Sequence, residues 1–191
     1  MNKQDIIYGV YISSVLEKKV VLTINEIGSN IKEVLQNKLS QLIEGKCITE
    51  GYIKPKSIEL STYSAGIICT DQIEYNVIFK CMICFPVEGQ KIECVSKTIT
   101  KAGIHAEVID NDKNVPVHVF IAKDHHIMDN YFTTIKEDMN ILVKVIGIRY
   151  ELNDPYICVI AKLLNPELFK QIDKQVKIKN KKIKIDLNIK D

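Results

Sequence analysis

Two groups of residues in this chain have the types that chemistry uses. Cys81-Met82-Ile83-Cys84 has the spacing of a redox or zinc pair. A redox pair needs its first thiolate at a helix N-terminus, where the thiol pKa falls. Both thiols instead lie in the alternating run 73–85, where residues three apart point to opposite faces of a strand. Zinc would need a second Cys or His pair at matching spacing, and none is present. These cysteines are therefore expected to behave as small apolar side chains in a sheet. His125-His126 is the second group, but adjacent side chains diverge and cannot chelate as they stand. His105 and His118 are isolated, and HExxH, GxGxxG and GxxxxGK[ST] frames are missing. No catalytic residue, no metal and no cofactor is expected, and catalysis by this chain alone is disfavoured.

Binding of nucleic acid is better supported. In 116–122, Val117, Val119 and Ile121 alternate with His118 and Phe120. If the first set faces a core, His118 and Phe120 form an outward stacking platform beside Lys123, His125 and His126. Stacking on an aromatic ring contributes ~1–3 kcal/mol per base, and lysine adds a salt-sensitive phosphate contact. Arg149 and Tyr150 would add a planar cation and a ring. The alternative is that Phe120 belongs to the core and the histidines are merely solvated.

Composition narrows the partners. The chain has 191 residues, 46% hydrophobic and 26% charged, with 26 Lys+Arg against 24 Asp+Glu. A formal charge of +2 excludes a histone-like polycation, and the apolar content excludes global disorder. Arg149 is the only arginine. Residues 170–191 hold eight Lys against Asp173, Asp186 and Asp191, so a basic tail follows a mildly acidic body. No apolar run approaches the roughly 20 residues of a membrane span. The first residues do not resemble a signal peptide. An intracellular protein with reduced cysteines and no membrane partner is expected. The abundance of Ile and Lys is the mark of an AT-rich genome.

The elements that must position these residues read as an α+β chain. Strands are expected at 6–14 and 20–24. A helix follows from Asn30, with Glu33 completing a capping box and Gly45 ending it. Its apolar face is Ile31, Val34, Leu35, Leu39, Leu42 and Ile43. Further strands are expected at 47–53, 57–60, 66–70 and 73–85, and Pro86 to Gln90 form a boundary. Five strands at 91–99, 103–110, 116–122, 140–150 and 156–164, with an insert after the third, have the rhythm of an OB-fold. Asn165-Pro166 would begin a short closing helix. The Ile/Lys alternation after 175 suits either a solvated hairpin or a strand added to a partner's sheet. The expected units are 1–88, 89–169 and a tail, 170–191.

The series Ile27-Gly28, Glu44-Gly45-Lys46-Cys47, Gly51-Tyr52-Ile53, Tyr75-Asn76-Val77 to Phe85-Pro86, Thr100 to Ile104 and Val117 to Lys123 resembles, in order and spacing, the stalk subunit of multisubunit RNA polymerases. That family comprises the seventh subunit of eukaryotic RNA polymerase II and its archaeal counterpart. The likeness covers about residues 6–165. The base bias would suit a version from a large DNA virus as well as one from an AT-rich cell. The resemblance implies a ribonucleoprotein-like tip domain of antiparallel sheet plus helix, docked on the polymerase core near the clamp of the largest subunit. It also implies a five-stranded OB-fold β-barrel meeting nascent single-stranded RNA, and a small helical stalk partner. Gly45, Gly51 and Tyr52 fall in the region that shapes the core contact, while Phe120, Lys123 and His125 fall among RNA-facing positions. Ile104 departs from the family's frequent aromatic, and the tail has no counterpart in short members. The location implied is the nucleus for a cellular protein, and the virion or cytoplasmic factory for a viral one. A free-standing OB-domain RNA-binding protein is the competing reading.

Overall fold

The computed structural model describes residues 9–28, 30–127 and 130–165. The closing helix and the tail expected after Asn165 lie outside them. Its spine is a pair of 13-residue antiparallel strands, β1 (Tyr11–Thr23) and β6 (Gln72–Cys84), matched residue for residue from Tyr11↔Cys84 to Thr23↔Gln72. The sequence leads one to expect two separate strands here, but β1 is one, with residues 15–19 paired like the rest. Their charges do not break it, because Glu17 and Lys19 face solvent and Lys19 pairs with Glu74 across the ladder at 3.6 Å. The opposite edge of β6 is shared by β3 (Gly51–Ile53), β4 (Glu59–Tyr63) and β5 (Ile67–Cys69). The expected strand 47–53 is a hairpin, β2 (Cys47–Ile48) returning as β3.

Helix α1 (Ile31–Ile43) covers one face of this sheet, burying Leu35, Leu39 and Ile43 against Val20, Leu22, Leu60, Val77 and Phe79. Leu42, expected on the buried face, lies at its margin and is half exposed. The Asn30 side chain caps no backbone N–H; its amide donates to the Glu33 carboxylate at 3.3 Å. The stronger tether is Glu26, in a 3-10 turn after β1. It accepts from the Lys38 ammonium on α1 at 2.7 Å and from the Thr23 N–H at 2.8 Å, which hold its pKa down to about 2.

The second half is a closed barrel of β7 (Lys91–Ile99), β8 (Gly103–Val108), β9 (Val117–Ala122), β10 (Asn140–Arg149) and β11 (Ile157–Leu164), in the order β10-β11-β9-β8-β7. The parallel β9–β11 pairing amid antiparallel neighbours gives the OB-fold. Strict alternation fills the interior with Ile104, Val117, Val119, Ile121, Val143 and Val159. The insert after β9 holds a 3-10 turn (Lys123–His126) and α2 (Asn130–Thr134), whose Phe132 packs into the barrel core.

Sheet and barrel share a buried joint. Cys47, Tyr52 and Cys84 leave the tip core and join the barrel's cluster. The Cys47 N–H donates to the Asp154 carbonyl, and the Asn153 N–H donates to that of Cys47, both at 2.8 Å. Tyr11 donates its hydroxyl to Asp110 at 3.1 Å, and Lys54 reaches Asp112 at 2.6 Å and Asp110 at 3.9 Å. The Asp110 carboxylate is only 5% exposed. Burial alone would raise its pKa, but donors from Asn114, Tyr11 and the Asp112 backbone outweigh it and leave the pKa lowered. A lowered carboxylate stabilises the fold above its ordinary value and ceases to as pH falls through the folded-state value. Asp110→Asn should therefore cost about 1–2 kcal/mol near neutral pH. Denaturant titrations of variant and wild type should converge below the ordinary carboxylate range.

Candidate nucleic-acid interface

Outward side chains of the barrel form a groove of about 470 Å³ across β8, β9, β11 and the end of β10. Val117, Val119 and Ile121 are buried, so alternation turns His118 and Phe120 outward as the sequence pattern requires. Both line the groove. Phe120 is half-buried there, not in the core, with its ring 4.8 Å from that of His105. His118 is 4.1 Å, ring to ring, from Tyr156, and its Nδ1 lies 4.0 Å from the Glu107 carboxylate. Arg149 stands on the rim, its side chain 83% exposed and lightly paired with Glu151 at 3.4 Å. Such a surface pair contributes little and exchanges readily for a phosphate. Lys97 is a second cation in the lining. Lys123 and His125 are exposed on the turn that follows β9.

Two expected members of the platform stand elsewhere. His126 is buried; its Nε2 accepts the Leu163 N–H at 3.1 Å and its ring stacks on Phe132 at 5.1 Å. It serves the barrel's interior because the 3-10 turn breaks the strand alternation and swings it inward. Tyr150 belongs to the joint, donating its hydroxyl to the Thr49 carbonyl at 3.0 Å and meeting Phe85 edge-on. Conversely His105, Glu107, Gly147, Cys158 and Ile160 line the groove, and the sequence pattern does not single them out. Alternation about Ile104, Ala106 and Val159 turns most of them outward; only the pairing of β9 with β11 assembles them.

The three positions associated with docking form part of the tip's own framework. Gly45, at φ +69°, turns the chain after α1, and its N–H donates to the Ile53 carbonyl at 3.0 Å. Tyr52 is 4% exposed, inside the joint, so it does not itself present a surface to a partner. Gly51 sits beside it at φ +129°, where a Cβ would approach the Cys84 carbonyl oxygen to 2.5 Å. The thiols of Cys81 and Cys84 lie in separate cores, and burial pushes them up to about 11 and about 12. That is opposite to what thiol–disulfide chemistry requires. All six cysteines are free. Among the described residues, no helix is long and apolar enough to cross a membrane.

No protein-family model matches the chain. It is 30% identical over 173 residues to a DNA-directed RNA polymerase subunit of Acanthamoeba polyphaga mimivirus, covering 82% of this chain and 83% of the relative. It is 28% identical to DNA-directed RNA polymerase II subunit 7 of Arabidopsis thaliana (72% and 84% covered) and 26% identical to the corresponding subunit of Glycine max (73% and 85%). The chain belongs to the RNA polymerase subunit 7 family. A match of this extent takes in both the tip sheet and the OB barrel of this family member.

The joint's geometry gives a direct test. Gly51→Ala combines a backbone conformation that L side chains rarely adopt with a clash against β6, and should lower stability by about 1–3 kcal/mol. Gly28→Ala, whose Cβ meets nothing within 4 Å, should leave the unfolding free energy within about 0.5 kcal/mol of wild type. Chemical denaturation of both variants reads the difference.

Proposed function

We propose that this chain is the stalk subunit of a DNA-directed RNA polymerase, without an active site of its own. The tip unit (residues 1–88) anchors it to the core near the clamp of the largest subunit. The barrel unit (89–169) meets nascent single-stranded RNA, and the tail (170–191) adds basic charge. The observation that carries this reading is the two-part match to polymerase subunits from a giant virus and from plants. A small helical stalk partner fits the same scheme. The site of action is the nucleus in a cell, or the virion or cytoplasmic factory of a virus.

The barrel supports RNA contact in a specific way. The groove lies on the second, third and fifth barrel strands, a face of the kind an OB-fold turns to oligonucleotides. It pairs rings that accept any base with a few rim cations. Affinity from so few cations is weak, and it suffices when tethering to the polymerase keeps the local RNA concentration high.

A native pull-down with tagged full-length chain should recover the large polymerase subunits in stoichiometric amount. Recovery of the chain alone with bulk RNA would sink the stalk assignment in favour of a free-standing RNA-binding protein. For the RNA contact, Arg149→Ala should reduce the slope of log affinity against log salt by ~0.7, the value of one phosphate on a single strand. Arg149→Lys should largely keep it, and affinity indifferent to salt would remove the cation-led contact altogether.

A further inference from the structure

The outer face of the barrel is a grid of two rows. Through the pairings of β8, β9, β11 and β10, His105, Phe120, Ile160 and Gly147 form one row, and Glu107, His118, Cys158 and Arg149 the other. The first row is apolar and aromatic, and it ends at a residue without a side chain. A shift of register between Val145 and Gly147 places that glycine opposite Ile160. Two ordinary reasons for a glycine do not apply to it. Its backbone is not in the left-handed region. A Cβ built on it would meet no atom within 4 Å, so no close packing demands it. Glycine inside a strand then marks a bulge or the close approach of another group. Here the bulge is present, and it delivers the glycine to the groove wall with open space in front of it.

What the glycine leaves open is a recess beside Ile160, an apolar side chain left 50% exposed, and the Phe120 ring. The charges around it have a pattern. Arg149 on β10 and Lys97 on β7 lie at opposite ends of the groove; Glu107, on β8, sits beside the Lys97 end, where Lys97 also pairs with Asp138 at 2.9 Å. At the Gly147 end the exposed Arg149 stands two residues from the glycine on the same strand, so a phosphate held there leaves its base over the apolar row.

We propose that Gly147 opens a niche that receives one unpaired base of a single-stranded RNA, seated against Phe120 and Ile160, with Arg149 and Lys97 on the flanking phosphates. The proposal rests on the RNA-contact reading above and specifies where that contact is made. It also gives a size rule: a side chain at 147 competes with the base for the same space.

The test measures binding of a short single-stranded RNA bearing one 2-aminopurine to full-length chain across a salt series. Gly147→Leu fills the recess and should weaken binding about 10-fold, within the range of one stacked base, with the salt slope unchanged because the phosphates keep their cations. The change in 2-aminopurine fluorescence on binding should disappear. Gly147→Ala should stay within about threefold of wild type, since one methyl group leaves most of the recess open. Ile160→Ala, half-exposed on the outer face of β11, should weaken binding several-fold at constant slope and provides the answer if Gly147→Leu misfolds. Wild-type affinity in both Gly147→Leu and Ile160→Ala overturns the niche and leaves the RNA face standing. A wild-type chain without salt-dependent RNA binding overturns both. Loss of polymerase recovery in Gly147→Leu, with RNA affinity intact, assigns the recess to a protein and overturns the proposal.

Discussion

The pairing of β1 with β6 is the constraint on which the rest of the fold depends. Thirteen consecutive residue pairs fix the register, and a slip by one would turn every buried side chain to the wrong face. Along β6 the inward set, Tyr75, Val77, Phe79, Cys81 and Ile83, fills the tip core against α1. Its last residue, Cys84, points the other way, into the barrel's cluster. One strand therefore serves two cores. Both Tyr11 and Tyr52 pair with Cys84, from opposite edges of β6. Tyr11 then carries the connection on to Asp110 of the barrel. Burial first, and the adjacent Asp110 charge second, raise the Tyr11 pKa and keep its hydroxyl protonated as the donor. The joint is thus an extension of a continuous sheet, which ties the barrel to the tip through one strand.

Legibility in the sequence follows how local the determining physics is. Period-two alternation in β6 and β9 depends on neighbours along the chain, and it correctly turns His118 and Phe120 out of the barrel. Turn residues between barrel strands are equally local, so all five strands fall close to where the sequence puts them. Where the chain leaves regular geometry the inference stops. His126 follows Phe120 by six residues, but the intervening 3-10 turn resets the side-chain direction and buries it. Tyr150 adjoins Arg149, yet consecutive residues diverge at the end of β10, one to the groove rim and one to the joint. The break expected within β1 reflects charge that the solvent-facing side of a ladder accommodates without interruption. Cys158 and Ile160 need the parallel pairing of β9 with β11, about 40 residues apart in sequence, which no local pattern specifies.

Charge follows the same division of labour. The total of +2 averages a basic tail with an acidic body, and at the groove each cation has a carboxylate beside it, Glu151 at Arg149 and Asp138 at Lys97. A surface of this kind orients a strand more than it captures one, since each phosphate contact adds only a modest, screenable increment. Arginine is the suited residue for the rim, because its planar, permanently charged group can pair with phosphate or lie over a base.

Orientation without capture is consistent with how the groove is built. The rings of His105 and Phe120 stand on the directly paired strands β8 and β9 of a closed barrel, so they are held by a rigid frame and need no ordering on contact. Its rim cations are long side chains in weak ion pairs, Lys97 with Asp138 and Arg149 with Glu151, which release at little cost. A rigid apolar floor lowers the entropy lost when a base settles, and a loose charged rim lets the strand move on. On the RNA contact proposed above both properties matter: binding tight enough to hold a segment would oppose its passage, while a preformed face would guide each segment in turn. Under that proposal a single rim arginine fits, because tethering would supply by local concentration what a larger cluster of charge would otherwise have to do.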